Sequence, residues 1–460
     1  MTMPTDFVVV LPGILGSTLR HDDHVVWAPS AGSAVRAINT FGRSLKRLRL
    51  PDDIGDEPPE DGVQPVGLMP DLHVLPGLWT PVKGYDRLLK RLRSLGYQEA
   101  TADPDAPPGN LLPVAYDWRL SNRYNGRRLA GIVEPALERW RAQGGPYADA
   151  KITFVCHSMG GLVARWYIEH CGGHEITTRL ITLGTPYRGS AKALEQLVNG
   201  ARKGLGPLGV DLTDLVRSMP SMYHLLPEYA CIEHAGDLAK TVETTLPELD
   251  TKRVVDGALF HRQLADAEAA RPDSLDSTHA IVGIRQPTAT TARLSGGRIE
   301  LVDGYRGQDL FGDATVPLVA ACRGDVWMDS PLLRRIPDRH GNLQRNRAAL
   351  DEIEGILTAR PIVIRAPGTV DLSVDMPDLI LAGEDLAVGV ATVDGSRQAV
   401  RITVTDEIGR MVDSRTPKPA PGGTVTTITD LPPGAHTVEV GGIAPGSPVS
   451  PVTGMVLVWG

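Results

Sequence analysis

The sequence predicts an α/β fold, a mainly parallel sheet flanked by helices, followed by a separate all-β domain. Three observations carry this. Up to about residue 360, apolar strand-like runs alternate with segments of helical periodicity, the pattern of parallel strands joined by helices. After Arg360 the helical period disappears, and short alternating runs separated by Pro and Gly clusters take over. Between the two halves of one strand–helix unit stands Cys156-His157-Ser158-Met159-Gly160-Gly161, a serine at a sharp junction of small residues.

Taken in order, residues 6–11 form a buried strand that breaks at Pro12-Gly13-Ile14-Leu15-Gly16-Ser17. Residues 85–97 place Leu88, Leu89, Leu92 and Leu95 at helical spacing, with Lys90, Arg91 and Arg93 on the remaining surface. Residues 151–155 supply a strand and 162–168 a helix on either side of Ser158. The segment from about 191 to 275, after Leu183-Gly184-Thr185-Pro186, reads as an inserted cap or lid. Residues 280–284 form a further strand. A loop with Gly304, Gly307 and Gly312 leads to Gly312-Asp313-Ala314-Thr315-Val316-Pro317, and His340-Gly341-Asn342 precedes a helical stretch over 345–357. In the last hundred residues, Leu386, Val388 and Val390 alternate, as do Val400, Ile402 and Val404, and Val438 and Val440. The spacing of these runs predicts a β-sandwich, immunoglobulin-like or fibronectin-like. The expected division is therefore residues 1–360, with the cap at about 191–275, and residues 361–460. The second unit holds no candidate catalytic constellation, which suggests that chemistry does not need it.

The serine junction has the form of the nucleophile elbow of an α/β-hydrolase, a strained turn that holds a serine clear of the sheet. A serine hydroxyl is a weak nucleophile and needs a base, which in turn needs an orienting acid. In this fold the order is serine, acid, histidine, and Ser158, Asp313 and His340 follow it, each in a loop or turn. The glycine-bearing break after residue 11 can present backbone N–H groups to a developing oxyanion, the partner N–H coming from Met159. Alternatively it is only a strand ending in a turn.

Several features have a plainer reading. His157 packs structurally and is not the base. Glu169-His170-Cys171-Gly172-Gly173-His174 contains possible metal ligands, but the glycines read as a helix stop, and no metal is expected. Asp117 and Arg119 form a buried ion pair rather than a substrate site. Arg43, Lys46, Arg47 and Arg49, interleaved with leucines, read as a solvated face, with contact to an anionic membrane as the alternative. Met219, Met222, Leu225 and Leu226 either line an acyl-binding groove, since adaptable apolar side chains suit variable chains, or pack the cap onto the body.

Pro12-Gly13-x-x-Gly16-Ser17, Tyr116-Asp117-Trp118-Arg119, the Ser158 elbow, Leu183-Gly184-Thr185-Pro186-x-x-Gly189-Ser190 and Gly312-Asp313-Ala314-Thr315-Val316 occur in the order found in the lecithin:cholesterol acyltransferase family. The chain resembles that family, which includes lysosomal phospholipase A2 and phospholipid:diacylglycerol acyltransferase, over roughly residues 6–358. The resemblance implies an acyl-serine formed from a lipid ester, with oxyanion donors at Ile14 and Met159. Cys156 replaces a glycine or alanine of the family pattern, and Ala314 replaces a commoner glycine. Because the first cysteine is Cys156, the early disulfide of the family's secreted members has no counterpart.

Composition sets the remaining bounds. A 460-residue chain with net charge −8 is not a typical nucleic-acid binder. Its four cysteines show no disulfide-framework spacing, and no apolar run reaches the length of a membrane span. With no signal-like segment ahead of the first strand, a cytoplasmic location is expected. The expected function is a serine ester hydrolase or O-acyltransferase of lipase or phospholipase type. It needs no cofactor, with peripheral contact to a membrane surface as a further expectation; no protein partner is identifiable for the C-terminal unit. The alternatives are a hydrolase of lactones or other secondary-metabolite esters, and a non-catalytic binding or scaffold protein.

Overall fold

A computed structural model describes residues 4–22, 24–27, 48–70, 84–100, 105, 107–203, 210–234, 236–271, 277–323, 328, 330, 333–359, 370–444 and 446–459. Six strands form the organising sheet: β1 (Phe7–Leu11), β2 (Leu111–Pro113), β3 (Ile152–His157), β4 (Thr177–Leu183), β5 (Ser277–Gly283) and β6 (Arg334–Ile336). Their order is β6-β5-β4-β3-β1-β2, and every pairing is parallel. Parallel strands covered on both faces carry continuous apolar runs rather than alternation. Accordingly β1 and β3 are buried at every position.

The longer helices are α1 (Asp86–Ser94), α2 (Asn122–Arg141), α3 (Gly160–His170), α4 (Ala191–Asn199), α5 (Thr251–Ala270) and α6 (Arg347–Thr358). Four of them start on side-chain caps of the expected kind, Ser121, Ser190, Asp250 and Asn346. Ser121 Oγ accepts the Tyr124 N–H at α2, and Asn346 accepts the Ala348 and Ala349 N–H groups at α6. Helix α3 has no side-chain cap, because it begins directly from the turn at Ser158. It ends at His170, two residues before the left-handed Gly172, as its glycines predict.

The C-terminal region is a sandwich. Its strands are β7 (Leu372–Asp375), β8 (Leu379–Leu381), β9 (Leu386–Thr392), β10 (Val400–Thr405), β11 (Met411–Arg415), β12 (Thr424–Ile428), β13 (Gly434–Gly442) and β14 (Val452–Trp459). One sheet runs β7-β9-β12 and the other β8-β14-β13-β10-β11. Leu386, Val388 and Ile428 of the first share one apolar core with Ile402, Val438 and Val456 of the second. The alternation read from the sequence matches the burial, with Leu386, Val388 and Val390 inward and Ala387 exposed.

Two sheets of three or more strands were not anticipated. Ser17–His21, His24–Trp27 and Val63–Leu68 form an antiparallel sheet beside the break after β1. Ile232–His234 and Asp237–Ala239 lie in the expected cap, but they pair into one sheet with Thr291–Ser295 and Arg298–Val302. The region expected as a cap, about residues 191–275, thus shares a sheet with strands that follow β5. Its apolar residues belong to the same core as the main sheet. Among the described residues no helix is long and apolar enough to cross a membrane.

Candidate active site

Ser158 stands between the last residue of β3 and the first turn of α3, with φ of +51°. A non-glycine residue in that left-handed region is strained and persists only where its surroundings hold it. Here the Ser158 N–H donates to Leu183 O at 2.9 Å, and its carbonyl accepts from Gly161 N and Thr185 Oγ1. The small residue at 160 has a specific cause. A Cβ on Gly160 would lie 2.3 Å from the Pro12 carbonyl oxygen, so the break after β1 packs directly on the elbow. A Cβ on Gly13 would reach the Ser158 Cβ at 2.9 Å, which places that loop against the serine itself.

The three residues read from chain order come together. His340 Nε2 lies 2.9 Å from Ser158 Oγ, and His340 Nδ1 lies 2.7 Å from Asp313 Oδ2. Asp313 accepts only, so Nδ1 carries the hydrogen, and Nε2 is left as the acceptor for the serine hydroxyl. The other Asp313 oxygen takes the Thr315 and Val316 N–H groups at 3.0 and 2.6 Å. The His340 N–H donates to the Asp313 carbonyl at 2.7 Å, tying the two loops through backbone as well as side chain. All three residues are buried; Ser158 is 2% exposed.

Ile14 follows Gly13, which packs against Ser158, and Met159 follows the serine in the chain. Among the described residues, neither backbone N–H has a protein acceptor. The Gly13 N–H, by contrast, is occupied by the Tyr85 hydroxyl at 2.8 Å. That hydroxyl also lies 2.9 Å from His157 Nδ1, and His157 Nε2 lies 3.1 Å from the His340 carbonyl. A carbonyl accepts only, so Nε2 donates to it, Nδ1 accepts from Tyr85, and Tyr85 accepts from Gly13. The chain of bonds connects the loop after β1 to the backbone of His340. Burial, together with the nearby His340, pushes the His157 imidazole down to about 3, so it stays neutral. Sequence reasoning gave His157 a packing role but missed Tyr85, whose only signal was its place beside the helical run of α1.

Tyr116-Asp117-Trp118-Arg119 braces the same loop. The Tyr116 hydroxyl donates to Pro12 O at 2.9 Å, the Tyr116 N–H to Ser17 Oγ at 3.0 Å, and the Trp118 indole to Ser17 O at 3.2 Å. Arg119 is fully buried and forks onto Asp117, with Asp61 as a second carboxylate at 2.8 Å. It is a structural ion pair, as expected. His170 stacks on Trp166 and is bonded to the Gln263 carbonyl, and among the described residues no group of side chains is arranged to hold a metal.

Met219, Met222, Leu225 and Leu226 are buried to 2% exposure or less within the main core. Leu225 O accepts the Ser190 N–H, fixing this stretch to the start of α4. None of the four lines a described cavity. Of the two sequence readings, the burial favours packing of the cap onto the body. The largest described cavity, about 820 Å³, lies along α5 and is lined by Arg165, Arg188, Lys240 and His261 rather than by Ser158. Gly204 and Gly206, within the segment read as a cap, and Arg43, Lys46 and Arg47 lie outside the described residues.

Two expected results follow from the bonding around the loop. Tyr85→Phe leaves the Gly13 N–H and His157 Nδ1 buried without partners, and lower stability by roughly 1–3 kcal/mol is expected; urea unfolding measures it, and an unchanged midpoint would contradict the network. The second concerns pH. The native state excludes a proton that unfolded histidine binds below about pH 6.5. His157 is held down to about 3, His261 to about 4, and His224 is also lowered, in each case mainly by burial. Stability from these groups is complete above the unfolded value and declines as pH falls from about 6.5 towards 3. Thermal unfolding should show that decline, and it should be shallower in His157→Gln, whose amide is neutral at every pH. Identical slopes would count against the neutral bridging imidazole.

Comparison with known proteins bears on this site. Residues 79–273 match the family described as Lecithin:cholesterol acyltransferase. That span holds Tyr116–Arg119 and Ser158, so the resemblance drawn from those motifs stands there; Asp313 and His340 lie beyond it and rest on geometry. The uncharacterized protein YJR098C of Saccharomyces cerevisiae is 26% identical over 185 residues, 39% of this chain and 23% of that protein. The match thus spans under a quarter of that relative's length. Among solved structures, the mature form of the Bacillus licheniformis lipase BlEst2 is similar at 13% identity and a TM-score of 0.37, covering 77% of this chain and 92% of that one. Its propeptide form is similar at the same identity and TM-score, covering 99% of this chain and 93% of that one.

Proposed function

We propose that this chain, matched to the lecithin:cholesterol acyltransferase family over residues 79–273, cleaves a lipid-type carboxylic ester through an acyl-Ser158 intermediate. The observation that carries the proposal is the hydrogen-bonded line from Ser158 Oγ through His340 to Asp313, set at a strained strand-to-helix turn. His340 Nε2 takes the hydroxyl proton as Ser158 Oγ attacks the ester carbonyl carbon. The carbonyl oxygen becomes an oxyanion, received by the Ile14 and Met159 N–H groups. The tetrahedral species collapses, the C–O bond to the alcohol breaks, and His340 returns its proton to the leaving oxygen. Water then attacks the acyl-serine, with His340 again as base, and the carboxylic acid leaves. Asp313 keeps the imidazole in the required tautomer and stabilises the imidazolium that forms. No step draws on a cofactor. An alcohol in place of water makes the same enzyme an O-acyltransferase.

Ser158 is almost completely buried, and the region about 191–275, which shares the core, is the candidate for a cover that moves to admit an ester. This supports a substrate presented at an interface. The test is turnover of p-nitrophenyl esters from acetate to palmitate, together with phospholipid vesicles and a panel of lactones. Turnover rising with chain length and with substrate above its solubility limit is expected. Preference for short or cyclic esters without response to an interface would reject the lipid substrate in favour of lactones. No turnover of any ester by the folded protein would leave only a binding role.

A further inference from the structure

We propose that the C-terminal sandwich positions the acid and the base of the active site, through Gln286 and Arg339, which tie its edge strand β7 to the loops carrying Asp313 and His340. The proposal rests on the catalytic reading of those two residues and assigns the sandwich a part in the same reaction.

Among the described residues, strand β7 ends its sheet and is paired only with β9. An edge strand has a row of backbone groups without sheet partners, and where it is buried those groups need other ones. Two side chains from the other unit supply them. Gln286 is fully buried; its Nε2 donates to Leu372 O at 3.0 Å and its Oε1 accepts the Val374 N–H at 3.1 Å. Arg339 donates from Nη1 to Val374 O at 3.0 Å. The edge of β7 is thus read by one amide and one guanidinium, as a further strand would read it.

The same two residues stand next to the catalytic loops. The Gln286 backbone exchanges two hydrogen bonds with Gly312, at 3.0 and 3.2 Å, and Gly312 precedes Asp313. Thr288, two residues on, accepts the Ala314 N–H at 2.8 Å, on the far side of Asp313. Arg339 immediately precedes His340. Its Nη2 donates to Asp378 Oδ1 at 3.0 Å, and Asp378 is shared with Lys192 of α4 at 2.7 Å. Burial alone would push the Asp378 carboxyl up; the two cations outweigh it and hold the group below its ordinary value. On the other side of Arg339, the buried Asp338 accepts the Arg339 N–H at 2.9 Å and the Thr453 N–H of β14 at 3.1 Å. The loop of His340 is therefore anchored to the sandwich through the adjacent Arg339, and the loop of Asp313 through Gln286, which bonds to the neighbouring Gly312. Misplacement of a catalytic group by about 1 Å costs on the order of 100-fold in rate, so loss of these anchors should appear in kcat before it appears in binding.

The experiment uses the full chain and compares Gln286→Ala and Arg339→Met with the wild type on p-nitrophenyl butyrate, alongside amide hydrogen exchange. Gln286→Ala removes the side-chain bonds to β7 and leaves the backbone bridge to Gly312. The expected result is a kcat lowered about tenfold to 100-fold with KM changed by less than about threefold, and faster exchange of the Thr315, Val316 and His340 amides while β1 and β3 stay protected. Arg339→Lys, which keeps a cation for Asp378, should recover part of the lost kcat. Val425→Ser, on the exposed outer surface of the sandwich, should leave kcat unchanged. A folded Gln286→Ala protein with wild-type kcat and unchanged exchange in both loops would overturn the proposal. If Gln286→Ala does not fold, Arg339→Met carries the comparison, and a wild-type kcat with wild-type exchange there overturns it equally. A wild type that turns over no ester would sink the hydrolase reading instead, and the exchange data alone would then decide whether the sandwich orders these loops.

Discussion

Replacing Ser158 by alanine is expected to lower kcat for ester turnover by on the order of 10⁴–10⁶ while leaving the fold in place. The change deletes one oxygen, whose partner in the structure is His340 Nε2. The Ser158 backbone keeps its bonds to Leu183, Gly161 and Thr185, none of which uses the hydroxyl. Alanine at φ near +51° is no more strained than serine, so stability should change little. The residual rate would come from the oxyanion donors and from binding, which do not depend on the nucleophile. Steady-state kinetics on p-nitrophenyl butyrate, with circular dichroism to verify the fold, checks this. A folded Ser158→Ala protein with wild-type turnover would remove the proposed mechanism.

Asp313→Asn is expected to cost about 10⁴ in kcat, nearly as much, for a different reason. Asp313 Oδ2 receives the Nδ1 hydrogen of His340 at 2.7 Å, while Oδ1 receives two backbone N–H groups. In the asparagine variant the amide oxygen is best placed opposite the two N–H donors, which turns the NH₂ group towards His340. Nδ1 must then accept, the proton moves to Nε2, and the histidine can no longer take the serine proton. The loss should lie in kcat and in the pH profile, with little change in KM. An Asp313→Asn protein that keeps wild-type kcat would show that tautomer control by this residue is not required.

Much of this arrangement was legible in the sequence, and the legible parts share a physical basis. Strands β1 and β3 are buried on both faces, so they stand out as unbroken apolar runs. The elbow stands out because only small residues fit between β3 and the loop after β1. Sandwich strands such as β9 and β10 show their burial as alternation. The order of Ser158, Asp313 and His340 followed from the fold.

The remainder lacked local signals. Ile232–His234 and Asp237–Ala239 are three-residue strands whose sheet is completed by residues more than fifty positions later, and so short a strand carries no readable period. The bracing of the loop after β1 by Tyr85 and His157 joins positions 72 apart in sequence. The four apolar cap residues looked equally suited to a groove or a core, since both want the same side chains. The sandwich is the clearest case. Without reactive residues of its own it looked dispensable for chemistry, yet Gln286 and Arg339 bond to its edge strand from positions beside the triad. Side-chain bonds to distant backbone groups leave no periodic trace in a sequence, so an anchoring role of this kind emerges only in three dimensions.

The central claim is that Ser158 becomes covalently acylated, and one measurement addresses it directly. The wild-type protein is incubated with a fluorophosphonate, which phosphonylates an activated serine and releases fluoride, and the digested product is mapped by mass spectrometry. A single adduct on the peptide carrying Ser158 is predicted, with loss of ester turnover in proportion to labelling and no adduct in Ser158→Ala or His340→Ala. Full ester turnover by a protein whose Ser158 remains unmodified, or stoichiometric labelling at a different residue, would contradict the account.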